Sequence, residues 1–392
     1  MNTLEEHDIT INEEITAVSK FEDMGLSEEM LNGLYSFGFE KPSLIQQKAI
    51  CPIISGRDII AQSQSGTGKT ATFLIGILHK IDPSVKKLQS IILAPTRELA
   101  NQISNVAVQI SKYMNINIKT VIGGVKRSKY SYDYADVNHI IIGTPGRISD
   151  SLNRGTINVS DLKIMVLDEA DEMLSHGFRD QLINILKYIP TESQIGLFSA
   201  TIPPDMMKIT NKFMNNPLQI LVKKNDVTLD GIKQYYVAIE NEQEKFECIC
   251  ALYSTINITQ SIIYANYKKT VEWLTKNMQD KDFPVDCICG GMSTEERSDI
   301  MKRFRSGDIR VLISTDLLSR GIDVQQISLV VNYDIPFEKE TYVHRIGRSG
   351  RYGRKGVAIN LVNQKDFQRF KTIQETYETV IEELPEDIAS LI

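Results

Sequence analysis

The sequence predicts an α/β protein made of two tandem domains, each a parallel sheet with helices on both faces. Three observations carry this. Short, near-continuous apolar runs alternate with helical stretches, the pattern of strands buried on both faces. The series stops near residues 215–231 and then begins again. One strand-to-helix junction, Ser63-Gln64-Ser65-Gly66-Thr67-Gly68-Lys69-Thr70, is a glycine-rich loop of phosphate-holding type. The 392 residues fit two domains of roughly 150–200 residues each.

Residues 1–20 are polar, acidic and without periodicity, and read as a mobile arm. The first domain is expected over 21–222 and the second over 223–392. Ser27 is placed to cap a helix that runs to Tyr35, with Glu28 and Glu29 in its first turn. Strands are then expected at 58–62, 90–94, 118–122, 139–143, 163–167 and 195–198. Each ends in a polar or glycine-rich cluster: the phosphate loop, Pro95-Thr96-Arg97, Gly123-Gly124, Thr144-Pro145-Gly146-Arg147, Asp168-Glu169-Ala170-Asp171 and Ser199-Ala200-Thr201. Ligands of parallel sheets sit at these carboxyl ends. The second series has strands near 234–238, 261–264, 285–289, 310–313, 329–331 and 356–361. It has no phosphate loop of its own. It carries Ser314-Thr315-Asp316, Arg320-Gly321-Ile322-Asp323 and His344-Arg345-Ile346-Gly347-Arg348-Ser349-Gly350-Arg351.

Composition bounds the class. Hydrophobic residues make up 42% and charged residues 24%, as in globular proteins, and no apolar run approaches the ~18 residues of a membrane span. The acidic N-terminus lacks a secretory or transit pattern, so a cytosolic or nuclear protein is expected. The five cysteines include two C-x-C pairs without zinc spacing, and read as small reduced thiols. The net charge of −6 conceals an asymmetry. Residues 1–40 hold ten acids and one base, which leaves +3 for 41–392 and room for a local basic groove.

The loop turns backbone N–H groups toward phosphate oxygens, and the following helix N-terminus adds partial positive charge. Lys69 can reach the outer phosphates and the Thr70 hydroxyl can ligate Mg²⁺. Asp168, ending an apolar strand, suits Mg²⁺ held largely through water. Its neighbour Glu169 suits orientation of the attacking water and acceptance of its proton. Arg345, Arg348 and Arg351 recur every three residues. They could bind acids of a partner, a nucleic-acid backbone, or a γ-phosphate in the manner of arginine fingers, and spacing does not separate these. Thr96-Arg97 and Thr144 to Arg147 suit a phosphate backbone, although each is also an ordinary turn. Gln46 could read an adenine edge and Phe21 could stack on a base; on the residues alone a helix cap and a core ring are the commoner explanations.

Taken together and in order, the phosphate loop, Pro95 to Ala100, Asp168-Glu169-Ala170-Asp171, Ser199-Ala200-Thr201 and His344 to Arg351 resemble the DEAD-box RNA helicases. The stretch from Gly38 to Gln46 is similar to that family's adenine-reading Q motif, here over 21–47. Within the family the similarity is to the group of eukaryotic translation initiation factor 4A and its nuclear relatives. Gly38 to Ser43, Thr228 to Gln234 and Arg320 to Gln326 carry it. The resemblance implies two RecA-like domains with ATP and RNA in the cleft between them. It makes Phe21 an adenine stacker, Gln46 the adenine reader, and Ser63 to Thr70 the phosphate site. Ser199 and Thr201 would link to Asp171 and couple ATP to RNA. Asp323 would contact the ribose, and Arg348 and Arg351 the γ-phosphate. Pro95, Arg97, Gly124, Thr144, Arg147 and Thr315 would line the RNA path. It further implies an ATP-hydrolysing RNA helicase that uses Mg²⁺, binds RNA with little sequence preference and acts as a monomer with scaffold proteins of translation or RNA processing. Such a protein is cytoplasmic, or nuclear or nucleolar. Ser63, Cys289-Gly290-Gly291, Thr294 and Tyr264 depart from that group's pattern; the last three lie in the second domain and touch on RNA affinity or partner contacts.

Overall fold

The computed structural model describes residues 9–63, 66–123, 138–174, 177–222, 232–256, 260–316, 327–349 and 356–385. They fall into two units, one inside Thr3–Lys223 and the other inside Lys224–Ile392.

The first unit opens with β1 (Ile9–Ile11), a 3-10 turn at Phe21–Met24, α1 (Glu28–Phe37) and α2 (Leu44–Ile54). Then come β2 (Ile59–Gln62), α3 (Lys69–Lys80), β3 (Ser90–Leu93), α4 (Arg97–Ile110) and β4 (Ile118–Val121). After these follow β5 (Ile140–Gly143), α5 (Pro145–Asn153), β6 (Ile164–Asp168), α6 (Ala170–Met173), α7 (Arg179–Leu186), β7 (Gln194–Ser199), α8 (Pro204–Thr210) and β8 (Leu218–Val222). The sheet order is β1-β8-β2-β7-β6-β3-β5-β4. Every pairing is parallel except β1 on β8.

Successive strand residues feed two cores. Ile59, Ala61 and Ile92 pack under α1 to α4, whereas Ile60, Ile91 and Leu93 pack against α5 and α7. This is why the strands read as continuous apolar runs rather than alternating ones. Each of these isoleucine and leucine side chains contributes on the order of 1.5–3 kcal/mol by leaving water. Helix α1 starts where Ser27 accepts a hydrogen bond from Met30 N (3.3 Å) and ends at Gly38 in the left-handed region. It lies so close to α4 that a Cβ on Gly33 would stand 1.9 Å from the Ile110 carbonyl oxygen.

Two expectations change here. Within the arm, residues 9–11 form a strand, and Ile9 to Ile11 pair with Val222 to Ile220. Asn12 fixes that register, accepting from Gln219 N (2.8 Å) and donating to the Pro217 carbonyl (3.2 Å). The acidic composition concealed a three-residue Ile-Thr-Ile alternation that covers the edge of β8. Residues 1–8 lie outside the described residues. The stretch 215–231, read as a domain exit, includes β8; its Leu218 and Ile220 are buried core residues of the first unit. Residues 223–231 lie outside the described residues.

The second unit runs β9 (Ile232–Ala238), α9 (Glu242–Thr255), β10 (Gln260–Tyr264), α10 (Lys268–Gln279), β11 (Val285–Ile288), α11 (Thr294–Ser306) and β12 (Val311–Ser314). It continues with β13 (Ile327–Asn332), α12 (Lys339–Ile346), β14 (Gly356–Val362), α13 (Phe367–Tyr377) and β15 (Glu382–Glu383). Its sheet, ordered β11-β12-β10-β13-β14-β9-β15, is parallel throughout. Ser293 caps α11 with a reciprocal capping box to Glu296. All five cysteines are free thiols. Among the described residues no helix is long and apolar enough to cross a membrane.

Candidate functional site

The carboxyl edge of the first sheet carries two groups of polar residues, split by strand order. Strands β2, β7 and β6 are neighbours and deliver the phosphate loop, Ser199 to Thr201, and Asp168 to Asp171. Strands β3, β5 and β4 are neighbours on the other side and deliver Pro95 and Arg97, Thr144 and Arg147, and Gly123. The β6/β3 pairing joins the groups.

In the loop, Gly66 and Gly68 hold φ of +86° and +99°. At Gly68 the positive φ favours glycine, and a Cβ there would also stand 2.6 Å from Gln46 Nε2 and push that amide aside. Ser63 closes the turn: its hydroxyl hydrogen-bonds that of Thr67, and its N–H donates to the Ser199 carbonyl (3.1 Å). Gln64 and Ser65 lie outside the described residues. Lys69 and Thr70 open α3. Lys69 is buried, and its Nζ has no hydrogen-bond partner among the described residues. A buried ammonium without acceptors is costly unless a ligand supplies them.

Across from it, β6 ends in Asp168 and Glu169, both buried. Asp168 accepts from Glu169 N (3.1 Å), and Glu169 takes φ +54°, a left-handed conformation rare for a side-chain-bearing residue. Burial pushes the Asp168 carboxyl up to about 7; the Glu169 charge adds to this and the Lys69 charge opposes it. Asp171 accepts the Thr201 hydroxyl and also Glu172 N (2.9 Å). Ser199 is buried, and its Oγ has no hydrogen-bond partner among the described residues.

Gln46 links α2 to the loop. Its Oε1 accepts from Ser43 N (2.8 Å) and its Nε2 donates to the Gly68 carbonyl (3.4 Å). One donor and one acceptor site of the amide remain. In the other group Pro95 is buried, Arg97 packs its guanidinium against Gly123, and Arg147 pairs with Asp150 (3.2 Å). Thr144 caps α5 and is half-buried. Gly124 lies outside the described residues.

In the second unit Thr315 follows β12 and is half-buried. Arg348 is buried, with Nε donating to the His344 carbonyl (3.2 Å). Asp323 and Arg351 lie outside the described residues.

Two family models match the chain: the DEAD/DEAH box helicase over residues 43–209 and the helicase conserved C-terminal domain over 244–353. The eukaryotic initiation factor 4A of Caenorhabditis elegans is 51% identical over 375 residues, covering 96% of this chain and 93% of that protein. The ATP-dependent RNA helicase fal1 of Schizosaccharomyces pombe is 48% identical over 391 residues, 99% of each chain. Among solved structures, Dbp5 of S. cerevisiae bound to RNA and ADP BeF3 matches with a TM-score of 0.89 at 37% identity, covering 94% of this chain and 96% of that one.

The chain is a DEAD-box ATP-dependent RNA helicase. Its two α/β units are the RecA-like domains of that family, and it hydrolyses ATP.

Two features of this helicase were not legible in the pattern. Phe21, expected from the resemblance to stack on adenine, is 1% exposed and belongs to the core of the first unit. It stands edge-on behind Phe39 (6.3 Å between centroids). Phe39 is only partly buried, stacks on Phe37 (5.3 Å, 20°) and lies four residues before Ser43. The 3-10 turn buries the upstream ring, which residue type alone does not reveal. Arg345 serves the fold of the second unit. It is fully buried, with Nε donating to Asp316 (2.6 Å), Nη1 to Asn332 (3.1 Å) and the Asp334 carbonyl (2.7 Å), and Nη2 to Asn266 (2.8 Å). It ties together the loops after β10, β12 and β13.

Proposed function

We propose that this helicase couples ATP hydrolysis to local separation of RNA duplexes, with residues 21–222 as the ATP-binding domain and 223–392 as the second helicase domain. The observation that carries the nucleotide reading is Lys69. Its ammonium is buried without a hydrogen-bond partner among the described residues, at a helix N-terminus, in a loop whose Gly66 and Gly68 hold positive φ. Phosphate oxygens of ATP would supply those acceptors. Phe39 takes the adenine face in place of Phe21, and Gln46 offers its remaining donor and acceptor to the adenine edge. Ser63 to Thr70 cradle the phosphates.

The residues fit Mg²⁺. Asp168 is an anionic ligand whose burial and acidic neighbour make a cation welcome, and the Thr70 hydroxyl begins α3 beside Lys69. When bound, Mg²⁺ would draw charge from the outer phosphates. Glu169 orients the attacking water and takes its proton, held in place by its left-handed backbone. Arg348 and Arg351 supply guanidinium groups to the terminal phosphate, and Asp323 contacts the ribose. The Asp171, Ser199 and Thr201 link couples the nucleotide to RNA lying along Pro95, Arg97, Gly124, Thr144, Arg147 and Thr315. ATP and RNA then raise each other's affinity by the same factor. Phosphate contacts dominate, so sequence preference is small.

In the cell we favour a translation-initiation role in the cytoplasm, as a monomer engaged by a scaffold protein, from the likeness to initiation factor 4A. The alternative, from the resemblance to that group's nuclear relatives, is a nuclear or nucleolar RNA-processing role. The test is ATP turnover of the purified protein with and without RNA. RNA-dependent turnover, lost in Glu169→Gln, is expected. Turnover indifferent to RNA, or intact in Glu169→Gln, refutes the reading. Capture from native lysate of a translation-cap scaffold, rather than exon-junction or nucleolar proteins, decides between the two cellular roles.

A further inference from the structure

The carboxyl edge of the second sheet carries an aromatic pair that neither the fold nor the residue roles above require. Tyr267 caps α10, just after β10, and is 60% exposed. Phe337 lies between β13 and α12 and is 51% exposed. Their rings meet edge to face, 5.9 Å apart at 72°. The Arg369 guanidinium sits 4.9 Å from the Phe337 centroid. Two rings held together in water are poor surface for a monomer, since each leaves apolar area unburied.

Their place in the sheet says what would cover them. Tyr264 pairs with Ser314 on one side and with Asn332 on the other. The loop carrying Tyr267 therefore runs between the loop that begins at Thr315 and the loop that ends at Phe337. Thr315 belongs to the proposed RNA path. Lys268 and Lys269 directly follow Tyr267, and Arg369 backs Phe337. Aromatic rings interleaved with cations beside a phosphate path are the composition of a single-strand stacking platform.

We propose that Tyr267 and Phe337 form a base-stacking step for single-stranded RNA, next to the phosphate contacts at Thr315. This rests on the RNA-binding reading of the second unit and adds to it a contact with bases. Arg369 holds the Phe337 ring from one side, which restricts it before RNA arrives. Every base has a π-face, so the step tolerates sequence, but it favours purines, which offer more stacking area. The helicase should therefore hold oligoadenylate more tightly than oligouridylate of equal length.

The test is fluorescence anisotropy of the full chain with labelled oligoadenylate, oligouridylate and an oligoadenylate carrying abasic sites, in a non-hydrolysable ATP analogue. Tyr267→Ala and Phe337→Ala should each weaken oligoadenylate about five-fold or more. They should leave the abasic oligomer near its parent affinity. Tyr267→Phe and Phe337→Tyr should bind like the parent. The exposed rings predict unchanged melting, so a folding defect is not a substitute explanation. Alanine variants that melt and bind oligoadenylate like the parent overturn the proposal, as does an equal loss for the abasic oligomer. A parent that binds no RNA overturns the RNA reading itself, and this inference with it; the two failures are thus distinct.

Discussion

Thr201 donates its hydroxyl to the carboxylate of Asp171. This bond joins the chain leaving β7 to the acidic turn after β6, while Gln62 holds the Ala200 carbonyl from β2 (3.2 Å). The segment 199–201 is thereby tied to both strands that deliver the candidate nucleotide residues. Thr201→Val keeps the shape and removes the donor. We expect ATP hydrolysis within about three-fold of the parent and duplex separation reduced about ten-fold or more, the scale of a lost coupling energy. Parallel turnover and strand-displacement assays check this; equal losses in both would place Thr201 in hydrolysis itself.

Lys69→Met separates ligand binding from folding. Among the described residues the parent ammonium is buried without a hydrogen-bond partner, so its removal relieves a desolvation cost rather than breaking a described contact. The free variant should melt no lower than about 2 °C below the parent. Its ATP affinity should fall about 100-fold, the worth of one or two charge-assisted hydrogen bonds. Differential scanning calorimetry and titration with a fluorescent ATP analogue report the two quantities.

Asp168 sets a pH dependence. Its carboxyl is pushed up to about 7 by burial and by Glu169, far above the usual carboxylate range. The free fold therefore holds this proton more tightly than the unfolded chain. Its contribution to stability is greatest below about pH 4 and is lost as pH rises toward 7. A bound cation favours the ionised form, so Mg²⁺ and ATP must displace the proton. Apparent affinity should rise between about pH 6 and pH 8, with up to one proton released. Calorimetry in buffers of different ionisation enthalpy counts that proton. Asp168→Asn should flatten the profile.

The place of the polar clusters at the strand ends was legible because helices cover both faces of a parallel sheet. The runs 90–94, 139–143 and 163–167 came out as β3, β5 and β6 within one residue at each end, since burial on both faces leaves an unbroken apolar signature. Strand β1 was not legible: three residues in an acidic context carry too little pattern, and β8 supplies the pairing. The roles of Phe21 and Phe39 were not legible either. Two phenylalanines look alike in sequence, and only the turn at Phe21–Met24 decides which ring is buried. Arg345 shares the spacing of Arg348, yet the polar ends of three neighbouring strands absorb its guanidinium.

Asp58 tests the opposite end of the first sheet. It stands just before β2, 9% exposed, and its carboxylate accepts Ile195 N (2.8 Å) and Asn215 N (2.7 Å). One side chain thus clamps the start of β2 to β7 and to the chain entering β8. Burial raises its carboxyl above the ordinary range while the two amides pull it down. Asp58→Ala leaves both amides without an acceptor, and each buried unsatisfied donor costs about 1–3 kcal/mol. We expect the urea midpoint of the first unit to fall by about 1 M, since m is about 1–3 kcal/mol/M. Asp58→Asn keeps one oxygen but turns an NH₂ group toward the second amide, so it should lie between parent and Asp58→Ala. The phosphate loop sits at the other end of β2, and ATP affinity below the unfolding transition should not change. A midpoint shift shared by ATP binding would mean that the clamp extends along the strand.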